Sequence, residues 1–207
     1  MLLSLNESLN VRLVRSLVQS GAIQFLQEGP VTCNFRPKDA VFRSGPLTSE
    51  HMRRIGEVLS NAGKELCQDC QTVVSVPYAD YPRQWADEGS PLVIAFAKLW
   101  RGMTPLGFHQ ARKKASAKEE VGRVLVVDTF LCDSNTDPMD EAIETLCGMS
   151  IQVVGAITFV SHGEEAVSGR PLSSVFTPRT LLEFCHKHEL VPLHRRESVD
   201  RYLRSRH

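Results

Sequence analysis

Between Val124 and Leu146 the chain reads VLVVDTFLCDSNTDPMDEAIETL. An apolar run ends in an acid, Asp128. A short polar loop follows, and a helix opens behind Asp137 and Pro138. A nucleotide or sugar-phosphate site has its parts in this order. The small polar residues Ser134, Asn135 and Thr136 could cradle an oxyanion. However, the loop contains no glycine, and Asp133 stands where a phosphate wants bare backbone. Two unit charges about 5 Å apart, at an effective dielectric of about 20, repel by roughly 3 kcal/mol. Asp137 and Asp140 already complement the helix dipole, so this helix start supplies its own anions.

Two further groups of residues could do chemistry. The segment GFHQARKKASAK carries His109, Arg112, Lys113 and Lys114, and Lys98 and Arg101 follow the apolar run PLVIAF. Such a charge run is either a basic contact surface or a solvated face. The pair Cys67 and Cys70 has C-x-x-C spacing, but no second Cys/His pair lies nearby to complete a zinc site. The pair also precedes a strand, whereas a redox C-x-x-C opens a helix after one, so both are read as loop or helix-end cysteines. The six cysteines are scattered along 207 residues, a pattern of reduced thiols rather than of a disulfide framework. An intracellular, reducing compartment is therefore expected.

The elements that must position these groups can be read from patterning. Hydrophobic residues make up 42% of the chain, enough for a real core at this length. Basic and acidic residues balance at 24 each, which argues against a dedicated nucleic-acid binder. The stripe Leu9, Leu13, Val14 and Leu17 predicts a first helix. The Leu/Ser-rich, acid-poor start also resembles an organelle presequence, so cytoplasm and mitochondrion both stay open. GAIQFL and AVFRSG read as short strands, and LTSEHMRRIGEVLSNAGKEL as a helix with Ser49 at its cap. QTVVSVP, SPLVIAFAKLW, GRVLVVD and SIQVVGAITFVS read as buried strands. ADYPRQWADEG reads as a turn entering a short helix, and RGMTPLGFHQARKKASAKEE as an exposed loop. DPMDEAIETLCGM and TPRTLLEFCHKHEL read as helices, the latter opened by Thr177 and Pro178. Continuous apolar strands alternating with helices predict an α/β domain with a parallel sheet covered on both faces.

Several segments together resemble a family. LVQSGAIQF followed by FRPKDAVFR resembles the N-terminal hood of the orotate phosphoribosyltransferase branch of the type I phosphoribosyltransferases, as found in the uridine monophosphate synthase domain. VPYADYP (Val76 to Pro82) resembles that family's Gly-Val-Pro-Tyr-x-x-x-Pro loop. VLVVDTFLCDSNT occupies the place of the phosphoribosyl pyrophosphate loop, and VVGAITFVSHGEE resembles the strand after it. The likeness spans roughly residues 10 to 190. It implies a parallel twisted sheet flanked by helices with a small N-terminal hood. It also implies one domain over 1–207: helix and hood to 47, an α/β core over 48–190, and a basic C-terminal tail over 191–207.

The resemblance also implies a reaction, the transfer of ribose 5-phosphate from phosphoribosyl pyrophosphate to a base nitrogen with magnesium. Family members hold the ribose on two adjacent acids; here those positions read Val127 and Asp128. The phosphate loop reads Leu131, Cys132, Asp133, Ser134 and Asn135, so its first hydroxyl and its glycine are gone. The Arg-Lys pair expected after the strand PLVIAF reads Ala95, Phe96 and Ala97, with Lys98 one place later. The hood lysine falls near Val31. The expectation is a phosphoribosyltransferase-fold protein with an eroded site. It would be a non-catalytic binding or assembly subunit of a complex, such as a mitochondrial ribosome-type particle. No cofactor is then needed. It would contact protein partners, as a homodimer or complex subunit, and RNA through Arg112 to Lys118 and the C-terminal tail. The alternative is a divergent, magnesium-dependent orotate phosphoribosyltransferase. In that case Asp128, Lys98 and His109 are catalytic, Ser134, Asn135 and Thr136 bind phosphate, and Tyr78 lines the base pocket. No metal ligand is assigned.

Overall fold

A computed structural model of the chain describes residues 7–25, 31–33, 47–77, 87–100, 102–130, 138–161 and 165–204. In chain order the elements are α1 (Glu7–Gln19), β1 (Ile23–Phe25), β2 (Val31–Cys33), α2 (Ser49–Ala62), α3 (Lys64–Cys67), β3 (Thr72–Ser75), α4 (Pro91–Lys98) and β4 (Thr104–Leu106). They continue with α5 (Phe108–Ser116), β5 (Val124–Phe130), α6 (Pro138–Gly148), β6 (Val153–Val160), β7 (Ala166–Val167), β8 (Arg170–Phe176), α7 (Pro178–Lys187), a 3-10 turn (Leu193–Arg195) and α8 (Arg196–Arg204). The chain divides into two compact units. One comprises Met1–His51 with Phe176–His207, the other Met52–Val175.

The larger unit holds a six-stranded sheet in the order β4-β3-β5-β6-β8-β7. β3 pairs in parallel with both β4 and β5, and β5 in parallel with β6. The central strands are buried throughout, as a sheet covered on both faces requires: Val124 to Val127 have no exposed surface. On one face Val74, Val124, Val126 and Ala156 pack with Phe108 and Ala111 of α5 and with Met139, Ala142, Ile143 and Leu146 of α6. On the other, α2 and α3 come so close that a Cβ on Gly63 would strike Ile157. A Cβ on Gly56 would lie 2.2 Å from the Leu92 carbonyl oxygen of α4.

The smaller unit contains α1, the antiparallel pair β1–β2, α7 and α8. Leu13, Val14 and Leu17 are fully buried, as the helical stripe predicted. Ser16 Oγ lies 2.7 Å from His51 Nε2, and the backbone N–H of Thr48 donates to His51 Nδ1. With Nδ1 accepting, the ring proton sits on Nε2 and is donated to Ser16. This serine–histidine pair ties α1 to the first turn of α2. Thr177 and Thr180 form a reciprocal cap at the start of α7. His186 Nε2 lies 2.7 Å from Asp200 Oδ1, linking α7 to α8.

Two expectations are corrected. SPLVIAFAKLW is not a strand. It forms helix α4, opened by Ser90 at the cap and Pro91 in the first turn. Leu92, Val93, Ala95, Phe96 and Ala97 are buried while Ile94 and Lys98, four apart, are exposed, which is a helical period. RGMTPLGFHQARKKASAKEE is not a loop. It contains β4 and α5, because Phe108, Ala111 and Ala115 make an apolar stripe that the intervening basic residues conceal. The residues read as a basic tail include the 3-10 turn and α8, which buries Val199. The expected strand AVFRSG and most of ADYPRQWADEG lie outside the described residues.

Candidate functional site

Parallel strands carry their ligands at the carboxyl ends. In the larger unit that end is formed by Leu106 of β4, Ser75 of β3, Asp128 and Thr129 of β5, and Thr158 of β6 followed by Ser161. The register sets Ser75 beside Val127 and Asp128 beside Thr158. Ser75, Asp128, Thr129, Thr158 and Ser161 are all buried. This is a line of polar groups at the lip of an otherwise apolar sheet.

Asp128, Thr129 and Thr158 are bound to the protein itself. Asp128 is only 1% exposed. The backbone N–H of Thr129 donates to its Oδ1 at 2.6 Å, and the Thr129 hydroxyl approaches the same oxygen at 3.4 Å. The Thr158 hydroxyl donates to the Val160 carbonyl at 3.1 Å. Val127, at the position of the family's second acid, is fully buried in the sheet. No group of three or more His, Cys, Asp or Glu that could hold a metal ion occurs among the described residues. Among the described residues, Asp128 is the carboxylate on the strands at this lip, and it has a valine as its chain neighbour on one side.

A second feature at the same lip was not foreseen from sequence. Ser90 caps α4 and Gly107 precedes α5, both in extended conformation, and neither helix has an acid in its first turn. Gly89 has φ +100°, and a Cβ there would lie 3.6 Å from the Gly107 nitrogen, so the two helix starts are neighbours. Ser90 Oγ is completely buried and has no hydrogen-bond partner among the described residues. His109, in the first turn of α5, lies 3.9 Å from Asp87, with both side chains about half exposed. The signal was the triplet Gly89-Ser90-Pro91, a helix start obscured by the apolar run behind it.

The other expected site residues are distributed as follows. Lys98 is exposed in the last turn of α4, where it complements the helix dipole, and not at a strand end. The strand in that sheet position is β4. It is followed by Gly107, Phe108, His109, Gln110 and Ala111, with no lysine or arginine before Arg112. The Arg112 guanidinium lies 5.9 Å from the centre of the Phe108 ring. α5 runs from the carboxyl end of β4 to the amino end of β5, so Lys118 comes out at the opposite end of the sheet from Asp128. Asp140 Oδ1 accepts a hydrogen bond from Ser168 at 2.6 Å in the turn between β7 and β8. Tyr78, Ser134, Asn135 and Thr136 lie outside the described residues, as do Asp133 and Asp137.

No protein-family model matches the sequence, and no curated protein matches it. The fold, by contrast, has solved counterparts. The chain superimposes on UMP synthase from Leishmania donovani with a TM-score of 0.61 and 17% identity, over 94% of this chain and 42% of that one. This chain thus spans less than half the length of that protein. It also superimposes on orotate phosphoribosyltransferase from Aeropyrum pernix with a TM-score of 0.50 and 21% identity, over 83% of this chain and 97% of that one. At these identities the likeness is one of architecture, and the sheet order, crossover helices and extent of the match agree on it: the chain has the type I phosphoribosyltransferase fold.

Proposed function

We propose that this protein keeps the phosphoribosyltransferase fold without the transfer reaction and works as a binding or assembly subunit. One observation carries this reading. Asp128, the single acid left at the ribose position, is buried and bonded to Thr129. A carboxylate that must grip two ribose hydroxyls needs open lone pairs, and one oxygen of this carboxylate already accepts from Thr129 within the fold. The absence of an Arg-Lys pair directly after β4 supports the same conclusion. So does the regular helix α5, which stands where a closing basic loop would be needed. Partner contacts would use exposed basic faces. His109, Arg112 and Lys113 share one face of α5, and Arg201 and Arg204 are exposed on α8. Either face suits an acidic protein or an RNA backbone, in the cytoplasm or in a mitochondrial particle. A single-turnover assay with orotate, phosphoribosyl pyrophosphate and magnesium at high protein concentration tests the reading. No orotidine monophosphate should form, and any formation at the rate of an authentic transferase would reverse the proposal.

A second reading is favoured by Ser90. Two adjacent helix starts without acids, together with a buried unpaired hydroxyl, suit the pyrophosphate part of a nucleotide. The protein would then bind such a ligand weakly without turning it over. Binding of inorganic pyrophosphate that is lost in Ser90→Ala would favour this reading over pure assembly.

A further inference from the structure

The C-x-x-C pair lies at the turn from α3 into β3, and the proposed function makes no use of it. Cys67 closes α3, and Cys70 comes just before β3. The backbone N–H of Cys70 donates to the Cys67 carbonyl at 3.2 Å. A turn closed in this way holds its first and fourth Cα atoms within about 7 Å, and a disulfide spans about 4.4–6.8 Å. Both cysteines are free thiols. Cys67 is buried, and a Cβ on Gly63 would lie 3.5 Å from its Sγ. Cys70 is partly exposed, and its thiol donates back to the Leu66 carbonyl at 2.8 Å, on the peptide that joins Leu66 to Cys67. The two thiols are within electrostatic reach, since a Cys70 thiolate disfavours ionisation of Cys67. The turn is also anchored on both sides. The Cys67 N–H donates to the Gly63 carbonyl at 3.0 Å, and the Gln71 N–H donates to the Arg123 carbonyl at 2.9 Å. A cross-link between the cysteines therefore asks for side-chain rotation and no change of strand register.

We propose that Cys67 and Cys70 form a reversible disulfide, made by a small-molecule disulfide such as oxidised glutathione and reversed by reduced thiols. The Cys70 thiolate, its proton released to solvent, attacks one sulfur of the glutathione disulfide. That sulfur–sulfur bond breaks, and one glutathione leaves as its thiolate. Cys67, deprotonated in turn, attacks the Cys70 sulfur of the mixed disulfide and expels the second glutathione. Two protein thiols and one glutathione disulfide thus become one protein disulfide and two glutathione thiols, the leaving thiolates taking up the two protons. Cys70 reacts first because it is the more exposed member. Burial also pushes it up only to about 11, against about 12 for Cys67. Thiolate is scarce for both at neutral pH, so the pair responds to a sustained shift in redox poise and not to a brief one. None of the other cysteines has a second one within four residues. A transient disulfide of this kind is compatible with a reducing compartment. The inference does not depend on the absence of transferase activity, because the turn lies at the amino end of β3, opposite Asp128.

The test equilibrates the native full chain with glutathione buffers of graded composition. Samples are quenched in acid, denatured and alkylated, and the tryptic peptide 65–83 is read by mass spectrometry. That peptide should lose two hydrogens and take no alkyl group, with the same midpoint approached from the oxidised and the reduced side. Cys147 and Cys185 should remain open to alkylation. Cys67→Ser should stop at the first step and carry one glutathione on Cys70. The wild-type titration decides the matter by itself should that variant not fold. The inference is overturned by glutathione held on Cys70 of the wild-type chain without a cross-link, by a disulfide from Cys67 to any other cysteine, or by a pair that stays reduced until the chain is unfolded.

Discussion

Asp128 shows how a side chain of the right type can be spent on structure. Its environment predicts an asymmetry between substitutions. Asp128→Asn keeps an oxygen for the Thr129 N–H and should lower stability by less than about 1 kcal/mol. Asp128→Ala orphans a buried donor and should cost about 1–3 kcal/mol, both read by chemical denaturation. Equal losses would mean that the charge itself is needed. The thiols make a second prediction. Burial pushes Cys67 up to about 12, with neighbouring Cys70 adding to the shift. Burial pushes Cys70 up to about 11, with Arg123 opposing and Asp69 adding, and pushes Cys185 up to about 12. The folded state therefore holds these protons more tightly than the unfolded chain, whose thiols ionise near 9.0. Their contribution is intact below pH 9 and is lost as pH rises toward 11 and 12. Stability should fall across that window, and substituting all three by Ala should flatten the fall. The sequence could show that Asp128 lies near the end of a strand and lacks its acidic neighbour. It could not show that Thr129 would occupy the carboxylate, because that depends on backbone geometry and burial.

Elements whose signals agree were legible in the sequence, and elements whose signals conflict were not. α7 opens with Thr177 and Pro178 and carries a clear apolar stripe, and it stands where the sequence placed it. Thr177→Ala should remove the cap and cost about 1 kcal/mol, measurable as a lower melting temperature. α4 was misread because eight nearly continuous apolar residues fit a buried strand as well as a buried helix, and only the burial period separates the two. α5 was misread for the opposite reason, since its basic residues outnumber the apolar ones that anchor it. The contact of α2 with α4 depends on a glycine that has no pattern signal at all. Gly56→Ala would drive a Cβ against the Leu92 carbonyl and should destabilise the larger unit by about 3 kcal/mol. Near-wild-type stability of that variant would show that α2 can slide without penalty.

For the whole molecule, the architecture is that of the solved counterparts, and the proposal is that the groups which would do its chemistry are missing or engaged elsewhere. The order of apolar strands and helices carried the fold through the sequence even at 17% and 21% identity to solved counterparts, because burial patterns tolerate substitution far better than reacting side chains do. The functional lip was only half legible. Its acid could be read from the strand pattern, but the pairing of the α4 and α5 starts depends on a β4 that the sequence did not reveal. The central claim is that no complete phosphoribosyl pyrophosphate site remains. Calorimetric titration of the full chain with phosphoribosyl pyrophosphate and magnesium measures this directly. The account predicts no saturable heat at micromolar ligand, and at most weak binding that pyrophosphate alone reproduces. A single saturable site with low-micromolar affinity that requires the ribose and is abolished by Asp128→Asn would contradict it.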